Sequence, residues 1–126
     1  MDFCETKITR EALQLPDDNF SVNEGAVIDF WGVVRAIEDD RVISGIDYEA
    51  FEKMAERQLK LVAEEAKEQH GLATVIVHHR IGFVPAGEAS LFVRVAAQHR
   101  KAALEGCALI VERLKCAVPI WKHPVG

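Results

Sequence analysis

The chain has 126 residues, of which 49% are hydrophobic, and this size suits one globular domain with its own core, predicted to span residues 1–126. Its net charge of −5 argues against a nucleic-acid partner, and no apolar run approaches the ~20 residues that a membrane-spanning helix needs. Residues 1–10 carry four charged side chains where a secretory signal has an apolar stretch, so we expect a cytoplasmic protein.

The first part of the chain is predicted to consist mainly of strands. Residues 3–9 form a candidate strand, and residues 16–23 suggest a loop or a short helical turn. β-Branched and aromatic residues favour further strands over residues 26–34 and 42–48. We expect these two strands to pair with each other through an acidic turn at residues 37–41.

Two long helices are predicted in the remainder of the chain. Apolar residues recur at helical spacing over residues 50–69, and Gly71 then occupies the usual position after a helix C-terminus. The same spacing returns over residues 99–115. Between the helices, residues 73–80 and 90–97 are predicted strands joined by a hairpin-like connection.

A short strand is predicted at residues 118–122, where Pro119 restricts the segment to the edge of a sheet. The order of these elements predicts an α+β fold with a mainly antiparallel sheet and two long helices.

A candidate anion site lies at the start of the second long helix. Unpaired backbone N–H groups and the helix dipole favour an anion there, and His99 and Arg100 add cationic side chains. From His99 onward the chain has five lysines and arginines against two glutamates, although the chain as a whole is acidic. This reversal favours a pocket for a small anion, while the alternative is an ordinary solvated helix start.

Two lysines near the C-terminal end are the candidate catalytic groups. Lys115 closes the second helix, where the helix dipole also favours a cation for purely structural reasons. Lys122 follows Pro-Ile-Trp in a strand beside the apolar core, so we expect it to be partly desolvated. A lysine in such surroundings can serve in proton transfer or nucleophilic chemistry.

Neither a metal nor a resident cofactor is predicted. The three cysteines, Cys4, Cys107 and Cys116, show no CxxC spacing, which argues against a disulfide framework and a thiolate metal site. His78 and His79 are adjacent on a predicted strand and therefore point to opposite faces, which excludes them as a joint pair of ligands.

Six short blocks occur in a specific order over residues 26–123. They are DFWGVVR (29–35), YEAFEKMA (48–55), HRIG (79–82), GEAS (87–90), QHR (98–100) and LKCAVPIWK (114–122). Each block alone is weak evidence of a family, but the combination of HRIG, GEAS, HR and LK…PIWK is highly specific for one. In order and spacing the blocks resemble the catalytic (large) subunit family of molybdopterin synthase.

The resemblance implies an α/β-hammerhead fold and a homodimer at the centre of a heterotetramer, with a small ubiquitin-like subunit on each flank. In that family the small subunit ends in Gly-Gly and carries a C-terminal thiocarboxylate that supplies sulfur. The large subunit binds cyclic pyranopterin monophosphate and directs two sulfur transfers that form the dithiolene of molybdopterin. The implied activity is therefore that of a sulfurtransferase in molybdenum cofactor biosynthesis.

The resemblance also implies roles for individual residues. Lys115 and Lys122 are implied to be catalytic, along the path of the partner's C-terminal tail. A cyclic phosphate and a thiocarboxylate are both anions, so a pocket that receives both requires cationic side chains. The residues implied to bind or enclose the substrate are Phe30, Val33, Val34, Arg35, His99, Arg100 and His123.

Two points stay open at the level of sequence. Many members of that family add an arginine to the pocket from a longer C-terminal tail, and Arg41 and Arg94 are the candidates to replace it here. Without the resemblance, the residues also fit a small α+β homo-oligomer that binds an anionic metabolite without reacting it. A ubiquitin-like partner that ends in Gly-Gly would distinguish the two, because only the enzyme requires one.

Overall fold

The computed structural model describes residues 3–17 and 20–126. Along these residues the elements run in the order β1 (Phe3–Thr9), β2 (Ala26–Val33), β3 (Ile37–Glu38), β4 (Arg41–Val42), β5 (Gly45–Ala50), α1 (Glu52–His70), β6 (Thr74–Arg80), β7 (Gly82–Pro85), β8 (Ala89–Ala97), α2 (Arg100–Ala117) and β9 (Ile120–Val125).

The largest sheet has four strands in the spatial order β1, β6, β8, β2. β1 lies parallel to β6, whereas β6 with β8 and β8 with β2 are antiparallel. Alternate residues of each strand point to opposite faces of this sheet. On β8, Val93 and Val95 face the helices, and Phe92 and Arg94 face the other side.

The main hydrophobic core lies between this sheet and the two helices. Leu59 of α1 and Ile110 of α2 are fully buried, and they belong to the same apolar cluster as Val75 and Val93 of the sheet. Burial of such side chains stabilises a fold by about 1.5–3 kcal/mol each, so this cluster positions both helices on the sheet.

A second, three-stranded antiparallel sheet has the order β7, β5, β9 and carries a smaller core of its own. The buried residues of that core are Val34, Ile43, Ile46, Tyr48, Ile81 and Val84. The Tyr48 hydroxyl donates a hydrogen bond of 3.0 Å to Oγ of Ser90 on β8, and this buried contact joins the two sheets.

The predicted α+β fold with two long helices and mainly antiparallel pairing is confirmed. The predicted strand over residues 3–9 coincides with β1, and the two predicted helices agree with α1 and α2 to within two residues at each end. Gly71 adopts the left-handed conformation expected after a helix, with φ 63°. The final predicted strand corresponds to β9, at the edge of its sheet.

One predicted connection is wrong. β2 does not pair with the strand that follows it but with β8, because Ala26, Ile28 and Phe30 then cover the helix side of the main sheet. The acidic turn instead closes the two-residue pairing of β3 with β4, with positive φ at Asp39 and Asp40. The hairpin-like connection joins β6 to its antiparallel neighbour β8, as predicted, and it contains the short strand β7, which belongs to the second sheet.

The predicted loop at residues 16–23 includes residues 18 and 19, which lie outside the described residues. The described remainder of that segment forms neither helix nor strand. Over residues 3–17 and 20–126, neither helix combines the length and apolar composition that a membrane crossing requires.

Gly45 provides a test of how the second sheet packs. A Cβ atom at this position would overlap the carbonyl oxygen of Val84 and the ring of Phe83 on the neighbouring strand. We expect Gly45→Ala to lower the free energy of unfolding by about 1–3 kcal/mol, because the strands must separate to admit the methyl group. Chemical denaturation measures this change. Gly126→Ala, whose Cβ meets no atom within 4 Å, is the control, and equal stability of both variants would contradict the packing.

Candidate active site

A cavity of about 260 Å³ lies where the C-terminal end of α2 meets β2 and the second sheet. Its apolar wall includes Phe30 and Val33 from β2, Leu91 from β8 and Leu114 from α2. Its polar groups are those of Tyr48, His79, Ser90, Lys115 and Lys122. Residues from six elements and from the connection between α2 and β9 therefore converge on one small volume, which is the usual form of a ligand site.

The structure brings the two candidate catalytic lysines to this one cavity. Lys115 lies in the last turn of α2, and Lys122 lies on β9, opposite Tyr48 in the register of β5 with β9. The chain reverses between them at Val118, which is buried in the main core. Two ammonium groups beside an apolar wall can hold an anion and stabilise negative charge that develops during a reaction.

Lys122 is more accessible than its sequence suggested. The partly desolvated position expected from the neighbouring apolar residues is wrong, because the side chains of β9 from Trp121 onward are exposed. β9 is an edge strand that the protein covers on one side only. Lys122 therefore stands at the mouth of the cavity.

Five of the seven expected binding residues lie outside the lining of this cavity within the same chain, two of them because of their local contacts. Val34 is buried in the second core, and its backbone N–H and carbonyl bond to the turn at Gly87 and Glu88. Arg35 is exposed and forms an ion pair of 3.4 Å with Glu38.

His123 and Arg100 lie outside the cavity for two other reasons, which are the direction of a side chain and the distance along a helix. His123 follows Lys122 on a strand and so points to the opposite face, where Nε2 lies 3.1 Å from Oε1 of Glu49. Arg100 begins α2 and lies near the helix end remote from Lys115.

His99 shares that remote position, since it caps the N-terminus of α2. The sixteen steps from His99 to Lys115 span about 24 Å at ~1.5 Å rise per residue. One copy of the chain therefore keeps these residues apart, and the cavity receives only Phe30 and Val33 of the seven expected binding residues.

Three of the five polar cavity residues were not selected from the sequence: Tyr48, His79 and Ser90. Each is an ordinary strand residue by itself, and only the pairing of β5, β6 and β8 brings them together. The available signal was the presence of His79 in the HRIG block and of Ser90 in the GEAS block. The same two blocks also contain Arg80 and Glu88, which form an ion pair of 2.8 Å and so stabilise the local fold.

The two adjacent histidines have separate environments, as predicted from strand alternation. His78 Nε2 lies 2.7 Å from Oε2 of Glu5 on the face away from the helices. His79 is half-buried, and its ring meets the Tyr48 ring edge-on at 5.3 Å between centroids. Burial lowers the pKa of His79, a hydrogen bond to the Arg80 carbonyl partly offsets this, and the positive charge of Lys122 lowers the pKa further.

Arg41 and Arg94 were the candidates to replace the arginine that a longer C-terminal tail adds to the pocket. Neither of them lines this cavity. Arg94 is 5% exposed, faces the opposite side of the main sheet, and donates two hydrogen bonds of 2.6 and 2.7 Å to the carboxylate of Asp29. Arg41 lies on the exposed β3–β4 hairpin.

The cysteines are spread over the described chain rather than gathered at the cavity. Cys107 is buried, and burial raises the pKa of its thiol, whereas Cys4 and Cys116 are exposed. Among the described residues, no group of three or more histidine, cysteine or acidic side chains is arranged to hold a metal ion.

Comparison with known proteins places this chain in a family. Residues 5–117 match the family model described as MoaE protein, and the chain therefore belongs to that family. It is 43% identical over 101 residues to the molybdopterin synthase catalytic subunit of Oryza sativa subsp. indica. That alignment covers 80% of this chain and 52% of the rice protein, so the chain spans about half the length of this relative.

Solved structures of related proteins share the fold. The crystal structure of molybdopterin synthase from Staphylococcus aureus superposes with a TM-score of 0.86 at 30% identity, covering 94% of this chain and 88% of that one. A complex of subunits 1 and 2 of molybdopterin-converting factor from Helicobacter pylori contains a chain with a TM-score of 0.68 at 30% identity. That likeness covers 81% of this chain and 66% of the other. The expected α/β-hammerhead fold agrees with this likeness.

The electrostatic contact between Lys122 and His79 can be tested by titration. We expect the pKa of His79, followed by NMR of the imidazole, to lie below the ordinary value of about 6.5. Lys122→Gln removes a nearby positive charge and should raise this pKa. Lys60→Gln on the exposed surface of α1 is the matched control and should leave it unchanged. An unchanged pKa in Lys122→Gln would mean that the two side chains do not interact.

Proposed function

We propose that this chain is the catalytic subunit of a molybdopterin synthase, a sulfurtransferase of molybdenum cofactor biosynthesis. It converts cyclic pyranopterin monophosphate to molybdopterin with sulfur from the C-terminal thiocarboxylate of a small ubiquitin-like subunit. The observation that carries the proposal is the convergence of Lys115 and Lys122 on one apolar cavity in a chain of the MoaE family.

The chemistry requires cations because both reactants are negatively charged. At a separation of 4 Å, two unit charges repel by about 1 kcal/mol in water and about 4 kcal/mol at the effective dielectric constant near a protein surface. Lys115 and Lys122 offset this repulsion where the thiocarboxylate approaches the pterin. They also stabilise the charge that develops as sulfur bonds to carbon, and they are the catalytic residues of the proposal.

The apolar wall suits the other parts of the reactants. Phe30 and Val33 form one side of the cavity beside the lysines and would pack on the pterin. The partner's tail would enter past Lys122, which stands at the mouth on the exposed strand β9. A Gly-Gly tail fits such a route because glycine lets the backbone approach closely.

The phosphate would be held by residues of a second copy of the chain. His99 and Arg100 lie about 24 Å from Lys115 along α2, so one copy cannot supply both groups to one small substrate. A homodimer in which the start of α2 from one copy lies beside the cavity of the other would bring both groups to one substrate. Arg35, exposed after β2, would complete that composite site. Val34 is enclosed in the second core and His123 faces away from the cavity, so neither is given a part in it.

The complete assembly of the proposal is a heterotetramer, with a small subunit on each side of the homodimer. The Helicobacter pylori relative is a complex of two kinds of subunit, which supports a two-component enzyme. The cytoplasmic location expected from the sequence belongs to the same proposal.

The role of the lysines is tested by substitution. We expect Lys115→Ala and Lys122→Ala each to lower turnover by about 10²-fold or more while the protein stays folded, because both side chains are exposed. The measurement is conversion of cyclic pyranopterin monophosphate by purified protein with thiocarboxylated partner. Lys60→Ala is the matched control on α1. Binding of substrate without any conversion by the wild type would instead favour a non-catalytic anion-binding domain.

The composite site is tested by mixing two inactive variants. Arg100→Ala and Lys115→Ala impair opposite ends of α2, so a mixed dimer contains one site with both defects and one with neither. After random subunit exchange we expect activity to return to about one quarter of wild type, because half of the chains enter mixed dimers. Lys115→Ala mixed with Lys122→Ala is the control and should stay inactive. No recovery after demonstrated exchange would place the whole site in one copy.

A further inference from the structure

His79 lines the cavity, but it has no role in the chemistry described so far. It lies at the end of β6, between Tyr48 of β5 and Ser90 of β8, in the same lining as Lys115 and Lys122. His78, its neighbour in sequence, faces the other side of the sheet and pairs with Glu5. The chain therefore provides a histidine at the site and a matched histidine away from it.

The hydrogen bonding of His79 determines which ring nitrogen carries the proton. Nδ1 lies 2.8 Å from the backbone carbonyl oxygen of Arg80. A carbonyl oxygen can only accept, so Nδ1 is the donor and holds a hydrogen. In the neutral ring, Nε2 then has a free lone pair and is the nitrogen that can accept a proton.

Nε2 is also accessible, and His79 belongs to the lining of the cavity. It has no hydrogen-bond partner among residues 3–17 and 20–126. Within those ranges, Nε of Arg80 is the side-chain nitrogen or oxygen that is both fully buried and without a hydrogen-bond partner. Nε2 of His79 also has no partner, and since it is not fully buried, it must be accessible to solvent. A water molecule or a reacting group in the cavity can therefore reach it.

The groups around His79 favour its neutral form. Lys122 faces it from β9 and Lys115 lines the same cavity from α2, both positively charged. Tyr48 faces it from β5, and burial raises the pKa of that phenol, which leaves it uncharged. Burial and the charge of Lys122 lower the pKa of the His79 imidazole, so the ring is a free base at neutral pH.

Sulfur transfer from a thiocarboxylate creates a need for such a base. Once the sulfur has bonded to a carbon of the pterin, it still carries the acyl group of the partner as a thioester. Release requires water to add its hydroxyl to the acyl carbon and the carbon–sulfur bond to break. The partner then ends in a carboxylate, the sulfur stays on the pterin as a thiolate, and two protons are released.

We propose that His79 is a catalytic base of this release step, and the inference rests on the proposed function. Nε2 accepts one proton from the attacking water as the oxygen bonds to the acyl carbon. The electron pair of the broken bond stays on sulfur, where the ammonium groups of Lys115 and Lys122 stabilise the thiolate. The imidazolium formed at His79 returns its proton to solvent through the open cavity mouth, and the second proton leaves as the new carboxylic acid ionises.

The test uses the assembled enzyme with thiocarboxylated partner and cyclic pyranopterin monophosphate. His79→Asn keeps an amide that can donate to the Arg80 carbonyl but has no basic nitrogen, and His79→Gln is a second variant of different length. We expect the release step to slow by about 10²-fold or more in both. Because attack by sulfur needs no base, a covalent adduct of partner and pterin should accumulate and appear by mass spectrometry of the intact small subunit. His78→Gln is the matched control and should accumulate none.

The pH dependence separates a base from a merely structural residue. In wild type, decay of the adduct should slow as pH falls through the pKa of His79, because protonation removes the lone pair. In the variants, decay should depend on hydroxide and accelerate about tenfold per pH unit.

The possible failures are distinguishable. Wild-type turnover in both His79 variants would overturn the assignment and leave the proposed function intact. Folded variants that lose activity without any adduct would also overturn it, because the loss would then precede release. Absence of conversion by the wild type would refute the proposed function and this inference with it.

Discussion

The burial of Leu114 and Val118 at the junction of α2 and β9 controls the arrangement of the site. Both side chains belong to the main core, so the helix must end and the chain must turn at a fixed place. Lys115 precedes this turn, Lys122 follows it, and β5 holds the departing strand by six residue pairs. The relative position of the two ammonium groups therefore depends on apolar packing, although the groups themselves are exposed.

The cavity lies at the boundary between the two sheets, and two polar contacts lie beside it. The hydrogen bond between Tyr48 and Ser90 joins β5 to β8 in a buried position. The ion pair between Arg80 and Glu88 joins the end of β6 to the turn before β8. Since His79 precedes Arg80 and Ser90 follows Glu88 by two residues, these contacts also position the polar lining.

The local sequence pattern was enough to predict most helices and strands, but not which strands pair with each other. Helical spacing and Gly71 identified α1, and β-branched and aromatic residues identified β2, because these signals depend on neighbours in the chain. The pairing of β2 with β8 depends on residues about 65 positions apart, such as Asp29 and Arg94, and nothing in the local sequence of β2 indicates it. Lys115 and Lys122 could be selected because they flank a short apolar segment and because the block LKCAVPIWK resembles the family. His79, Tyr48 and Ser90 have ordinary local positions, so only the tertiary structure reveals them as neighbours.

The bidentate contact between Arg94 and Asp29 has a consequence for how the sequence can vary. Arg94 is almost fully enclosed, so loss of Asp29 alone would leave a guanidinium in the interior without its carboxylate. Loss of Arg94 alone would open space beside Phe92 and leave the carboxylate without a donor. A pair of apolar residues of similar volume could replace both with little loss of stability. The two positions are therefore expected to change together among functional sequences, so that intermediates with one substitution are selected against.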